Sequence, residues 1–138
     1  MKVNAFTDGA ARGNPGESGI GVVLKDEHGK TLRSLYGYTG IATNNVAEYI
    51  ALLTCVQAAA ILGCSALHVH SDSELIVRQM RGEYKVKDAG LKKYFQKIHS
   101  LLSGAPFEFE ITHIARENNS EADRLANFGI DSRVPVRL

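Results

Sequence analysis

The sequence predicts an α/β domain: a mixed five-stranded sheet flanked by helices. Three observations predict it. The apolar patterning reads in the order β-β-β-α-β-α-α-β-α. The three opening strands follow one another through short turns, which suits an antiparallel meander. The last two strands are separated by helices, which suits parallel pairing of strands 1, 4 and 5. Finally, 44% of the 138 residues are hydrophobic, enough to fill the core of a single domain.

Each element has a local reason. "VNAFTD" (3–8) alternates as a strand that runs into Asp8 and a loop of Gly, Ala, Arg, Asn and Pro. The stretch 18–38 reads as a hairpin with strands near 18–25 and 31–38. Its turn lies at Asp26 to Lys30, where Gly29 supplies the bend. "TNNVAEYIALLTCVQAAAILG" is a helix of about 18 residues, capped by Thr43 or Asn44 and ended by Gly63. "ALHVHSD" (66–72) is the fourth strand, and "SELIVRQMRG" a short helix ending at Gly82. A further helix follows from a cap at Asp88. "PFEFEITHIA" (106–115) is the last strand, with Phe107, Phe109, Ile111 and His113 on one side. Asn118 followed by Glu121 resembles a capping box opening the last helix. The tail 131–138 is expected to be loosely ordered.

Composition excludes several classes. Charged residues make up 22% of a chain rich in apolar residues, so disorder is excluded. No apolar run is expected to reach the roughly 18 residues that span a bilayer. "MKVNAFTDG" lacks the apolar stretch of a signal peptide. Cys55 and Cys64 have no metal-type spacing and read as buried thiols of a cytoplasmic protein. The net charge of +1 says little about partners. Its distribution says more: Arg78, Arg81, Lys85, Lys87, Lys92, Lys93 and Lys97 face only Glu83 and Asp88 in the same stretch. Such a stripe suits phosphate binding or a solvated helix face equally well.

Four carboxylates stand in unusual places. Asp8 and Asp72 end strands that the predicted order sets side by side and parallel. Both then emerge at the carboxyl edge, where open α/β sheets place ligands. Taken alone, Asp72 also suits a helix N-cap. Glu48 shares a helix face with Leu52, Cys55 and Ala59, where a carboxylate is costly unless paired or bound to a cation. Asp123 lies in the first turn of the last helix, on a side with Ala126 and Ile130. A favourable helix dipole accounts for the turn each occupies, but not for Glu48's apolar face. Four converging carboxylates call for a hard divalent cation: Mg²⁺ first, with Mn²⁺ as substitute. Two such ions suit phosphodiester cleavage.

Four motifs, "TDGAARGNPG", "TNNVAEYIAL", "HSDSELIVRQM" and "RENNSEADRLAN", occur in an order that resembles the type 1 ribonuclease H family. The resemblance covers roughly residues 3–130. It implies the ribonuclease H-like fold in a single catalytic domain (1–138), and two-metal hydrolysis of the RNA strand of an RNA–DNA hybrid. Products would carry 5′-phosphate and 3′-hydroxyl ends. By the same resemblance Asp8, Glu48, Asp72 and Asp123 hold the metals, with Asp8 bridging. Gly9, Asn14, Thr43, Asn44, Asn45 and Ser73 match substrate contacts, Thr43 a DNA phosphate contact. His113 lies at the spacing of a family histidine that assists product release or proton transfer. Its sequence also reads as strand, without the Gly-rich loop usual there. His68 and His70 read as structural.

The chain departs from many members in lacking Trp and the basic protrusion after the short helix. This implies a short branch with weaker hybrid binding, or use of the 78–97 stripe. It leaves double-stranded RNA open as a substrate. A monomer without membrane association is expected. The alternative in another class is a nucleic-acid-binding module of the same fold that has lost catalysis; the intact quartet argues against it. A two-domain actin-like phosphotransferase needs more chain than this, and a domain cut from a reverse transcriptase fits the Met start and short tail less well.

Overall fold

The computed structural model describes residues 1–136. Strands β1 (Lys2–Gly13), β2 (Gly16–Lys25) and β3 (Thr31–Ala42) form the antiparallel meander. Helix α1 (Asn44–Leu62) follows, then β4 (Ala66–Ser71), α2 (Glu74–Met80), α3 (Ala89–Ser103), β5 (Glu108–His113) and α4 (Ser120–Ser132). The sheet order is β3-β2-β1-β4-β5, with β4 parallel to both β1 and β5. The expected fold class is the observed one.

Local chemistry explains the boundaries. The Asp26 carboxylate accepts from the His28 and Lys30 amides at 2.9 Å, closing the hairpin turn where Gly29 adopts φ 83°. Thr43, not Asn44, caps α1 by accepting from the Val46 amide, and Gly63 ends it in the left-handed region. Asp88 caps α3.

One face of the sheet packs on α1, and α3 packs on α1 in turn. Tyr49, Leu52, Leu53, Ile76 and Ile98 are fully buried there with Val3, Ala5, Leu67 and Val69. The other face carries α4 over β2 and β3. The helix approaches closely because β2 offers glycine beneath it: a Cβ at Gly21 would run into the Ala122 carbonyl. This contact sets the height of Asp123 above the sheet.

Five expectations need correction. Asp8 does not end its strand. β1 continues to Gly13 because β2 still pairs with it, while pairing with β4 stops at Thr7 and Ser71. Ser73, rather than Asp72, caps α2. No capping box forms: Asn118 ends a 3₁₀ turn (Arg116–Asn118), and the residue before α4 is Asn119, whose side chain makes no cap bond. α1 is long and apolar enough to cross a membrane by length and composition, but more than half of it is buried inside the fold. Finally, the tail pairs with β3. The Tyr38 amide donates to the Val134 carbonyl at 2.6 Å and the Val136 amide to the Tyr38 carbonyl at 3.0 Å. Residues 137–138 of that tail lie outside the described residues.

Candidate active site

Parallel register brings two carboxylates together. Thr7 pairs with Ser71, so the next residues, Asp8 and Asp72, leave the sheet side by side. Glu48 reaches them from α1. One carboxylate oxygen from each of Asp8, Glu48 and Asp72 lies within 4.8 Å of the others. Asp123 comes from the first turn of α4 and stands near enough to Asp8 to raise its carboxyl. The four carboxylates singled out in the sequence therefore meet at one sheet edge.

Two of the four carboxylates are buried, Asp72 is half-buried and Asp123 is exposed. Asp8 is 5% exposed and Glu48 9%. Burial, the charge of Asp72 and the neighbouring Asp123 carboxyl push Asp8 up to about 8. Burial, then the charges of Asp8 and Asp72, hold Glu48 well above the usual carboxylate range. The Gly9 amide, donating to Glu48 Oε1 at 2.8 Å, and the charge of Arg116 act in the opposite direction. Arg116 also opposes the shift at Asp8. Neither Arg116 nor Asn119, whose Nδ2 reaches Asp72 Oδ2 at 3.3 Å, stood out in the sequence.

The donor set is all oxygen and anionic, and its charge is resisted by the fold. That combination fits a hard divalent cation and fits no soft metal. Linkage gives a test. A carboxyl whose folded value is raised binds its proton more tightly when folded. Its stabilising contribution is present at low pH and lost as pH rises from the ordinary 3.8 towards about 8. The metal-free chain should therefore melt at lower temperature at about pH 8 than at about pH 5. Added Mg²⁺ or Mn²⁺ should restore the melting temperature at the higher pH in a concentration-dependent way. A flat pH profile with no metal response would contradict the cluster's electrostatics.

The remaining residues divide into three groups. Asn14, Thr43, Asn44 and Asn45 cluster where the β1–β2 hairpin meets the start of α1. The Asn44 amide donates to Asn14 Oδ1, and the Ala11 amide donates to Asn44 Oδ1, both at 3.0 Å. Gly9 is buried against the backbone of Ala47 and Glu48, so its contact is with α1 rather than with an open surface. Ser73 caps α2 beside Asp72. His113 ends β5, exposed, and lines a cleft with Glu74, Val77, Arg78, Arg81 and Glu83 instead of joining the carboxylates. In the basic stripe, Arg78 is engaged by Glu74 and Glu83 and lies over Tyr84, while Arg81 Nε donates to the Ile111 carbonyl at 3.0 Å. His70 stacks on Phe6, and His68 bonds Thr112.

Residues 6–129 match the family described as reverse transcriptase-like. The chain is 32% identical to a ribonuclease H of Halorhodospira halophila over 96% of this chain and 95% of that protein. The chain belongs to the type 1 ribonuclease H family. It is also 38% identical, over 94% of its length, to a ribonuclease HI of Halobacterium salinarum. Among solved structures, LC11-RNase H1 in complex with an RNA/DNA hybrid superposes with a TM-score of 0.90 at 46% identity, covering 94% of this chain and 97% of that one. The chain spans 65% of the length of the Halobacterium protein, and 36% of mycobacterial relatives to which it is 40% identical. It belongs to the short branch of the ribonuclease H family: α2 ends at Met80 and α3 begins at Ala89, with no protrusion between them.

Proposed function

We propose that this chain is an endoribonuclease that hydrolyses the RNA strand of RNA–DNA hybrids with the help of Mg²⁺, for which Mn²⁺ can substitute. The observation that carries the reading is the meeting of Asp8, Glu48 and Asp72 within 4.8 Å, with Asp123 beside Asp8, in a ribonuclease H family chain. A relative solved with an RNA/DNA hybrid supports the choice of substrate.

In this reading Asp8, Glu48, Asp72 and Asp123 would hold two ions, Asp8 shared between them. Such ions would supply activation of a water towards phosphorus and neutralisation of the departing 3′ oxygen, which would leave 5′-phosphate and 3′-hydroxyl ends. The chain's own residues supply rigidity. The Gly9 amide holds Glu48 through Oε1. Asn14 and Asn44 each spend Oδ1 inside the protein, and among the described residues neither NH₂ group donates to protein. Both therefore offer donors outward. Acceptors line the minor groove at every base pair, and ribose 2′-hydroxyls accept as well. Donor contacts of this kind favour ribose-bearing strands with little dependence on base sequence.

The test is cleavage of end-labelled RNA–DNA hybrid, duplex RNA and duplex DNA with Mg²⁺, Mn²⁺ or EDTA. Metal-dependent cutting of the RNA strand of the hybrid is expected, with duplex DNA left intact. Equal cutting of duplex RNA would widen the substrate class. No cutting by the folded chain with either metal would leave a binding module in place of an enzyme.

A further inference from the structure

We infer that Asn119 is a positioning residue of the acidic site, acting through Asp72. The inference rests on the reading that the carboxylates hold divalent cations. Asn119 immediately precedes α4, where an asparagine ordinarily accepts from an amide two or three residues on. Its side chain forms no such bond. Nδ2 donates twice instead, at 2.9 Å to the Thr7 carbonyl and at 3.3 Å to Asp72 Oδ2. Both partners are acceptors only, so the amide cannot be turned over without setting oxygen against oxygen.

These two bonds join three of the four elements from which the site is built; α1, which carries Glu48, is the fourth. Thr7 precedes Asp8 on β1, Asp72 follows β4, and Asn119 starts the helix that carries Asp123. The residue is 2% exposed, and its Oδ1 is buried without a partner among the described residues. An unmet buried carbonyl oxygen is costly, and a residue kept for packing or capping alone would not carry one. The donor half of the amide is what the position uses. The bond to Oδ2 restrains the Asp72 carboxylate, which also stands within 4.8 Å of the Asp8 and Glu48 carboxylates.

The metal-free chain is titrated calorimetrically with Mn²⁺, comparing the parent, Asn119→Ala, Asp72→Asn and the double variant, with a thermal melt beside each. Asn119→Ala should weaken Mn²⁺ binding by about tenfold or more, as loss of a ligand's outer partner does at other metal sites. In the Asp72→Asn background the same change should have no further effect on binding. With hybrid substrate at fixed Mg²⁺, kcat should fall with KM unchanged, and added Mg²⁺ should recover it. If Asn119→Ala does not fold, Asn119→Ser replaces it, since its shorter side chain cannot reach both acceptors. A folded variant that binds Mn²⁺ as tightly as the parent overturns the inference while leaving the metal reading intact. A folded parent that binds no Mn²⁺ overturns both.

Discussion

Asp8→Asn should abolish metal-dependent cleavage of hybrid RNA and, at the same time, raise the melting temperature of the metal-free chain at about pH 8. The two effects have one origin. Burial, the charge of Asp72 and the neighbouring Asp123 carboxyl push the Asp8 carboxyl up to about 8, so the folded chain resists its ionisation. An amide of the same shape carries no charge to resist. Each ~1 kcal/mol of relieved repulsion should appear as about 3–5 °C in a chain of this size. Cleavage should fall by more than about a hundredfold, beyond what loss of an outer partner costs at a metal site. Gain of stability with loss of function distinguishes an electrostatically strained ligand from a structural residue, whose loss lowers both. Melts in EDTA beside cleavage assays in Mg²⁺ decide the matter. A melting temperature below that of the parent would show that Asp8 stabilises the fold and that the strain is absent.

The site was legible where local pattern alone determines geometry. Glu48 stood out because Leu52, Cys55 and Ala59 share its helix face, and all three are buried. Asp8 and Asp72 could be set side by side because the alternation of strands and helices implies parallel pairing, which the register bears out. What the sequence hid depends on distant atoms. Asn119 and Thr7 are 112 residues apart, and nothing near Asn119 distinguishes a cap from a tie to another strand. Arg116 acts on Asp8 and Glu48 only because the 3₁₀ turn brings it over the cluster. The second half of β1 reads as loop because Gly, Ala, Arg and Gly have little strand preference of their own; β2 extends it by pairing. The tail reads as loose because its order comes from backbone bonds to the distant Tyr38.

Gly9→Ala should cost both stability and activity although it leaves all four carboxylates in place. Gly9 follows Asp8 on β1 and is buried under the first turns of α1. A Cβ there would collide with the Ala47 carbonyl carbon and the Glu48 nitrogen, and would lie 2.7 Å from the Ala47 oxygen. Every one of these atoms is backbone, so no rotamer change relieves the clash, and α1 must move off the sheet. Overpacking of this kind costs about 1–3 kcal/mol or more. The displacement also breaks the bond from the Gly9 amide to Glu48 Oε1, 2.8 Å long in the native chain. A buried carboxylate oxygen is then left without its donor, which adds about 1–3 kcal/mol. Glu48 withdraws from Asp8 and Asp72, so Mn²⁺ binding and cleavage should fall together. Gly104→Ala is the matched control: its φ is −98° and nothing lies within 4 Å of the added carbon, so the parent's melting temperature and activity should persist. If Gly9→Ala melts and cuts like the parent, α1 is held by its apolar face alone. The glycine after Asp8 would then be a matter of indifference to the site. If it fails while Gly104→Ala does not, the backbone approach of β1 to α1 is what sets the distance between Glu48 and the two aspartates.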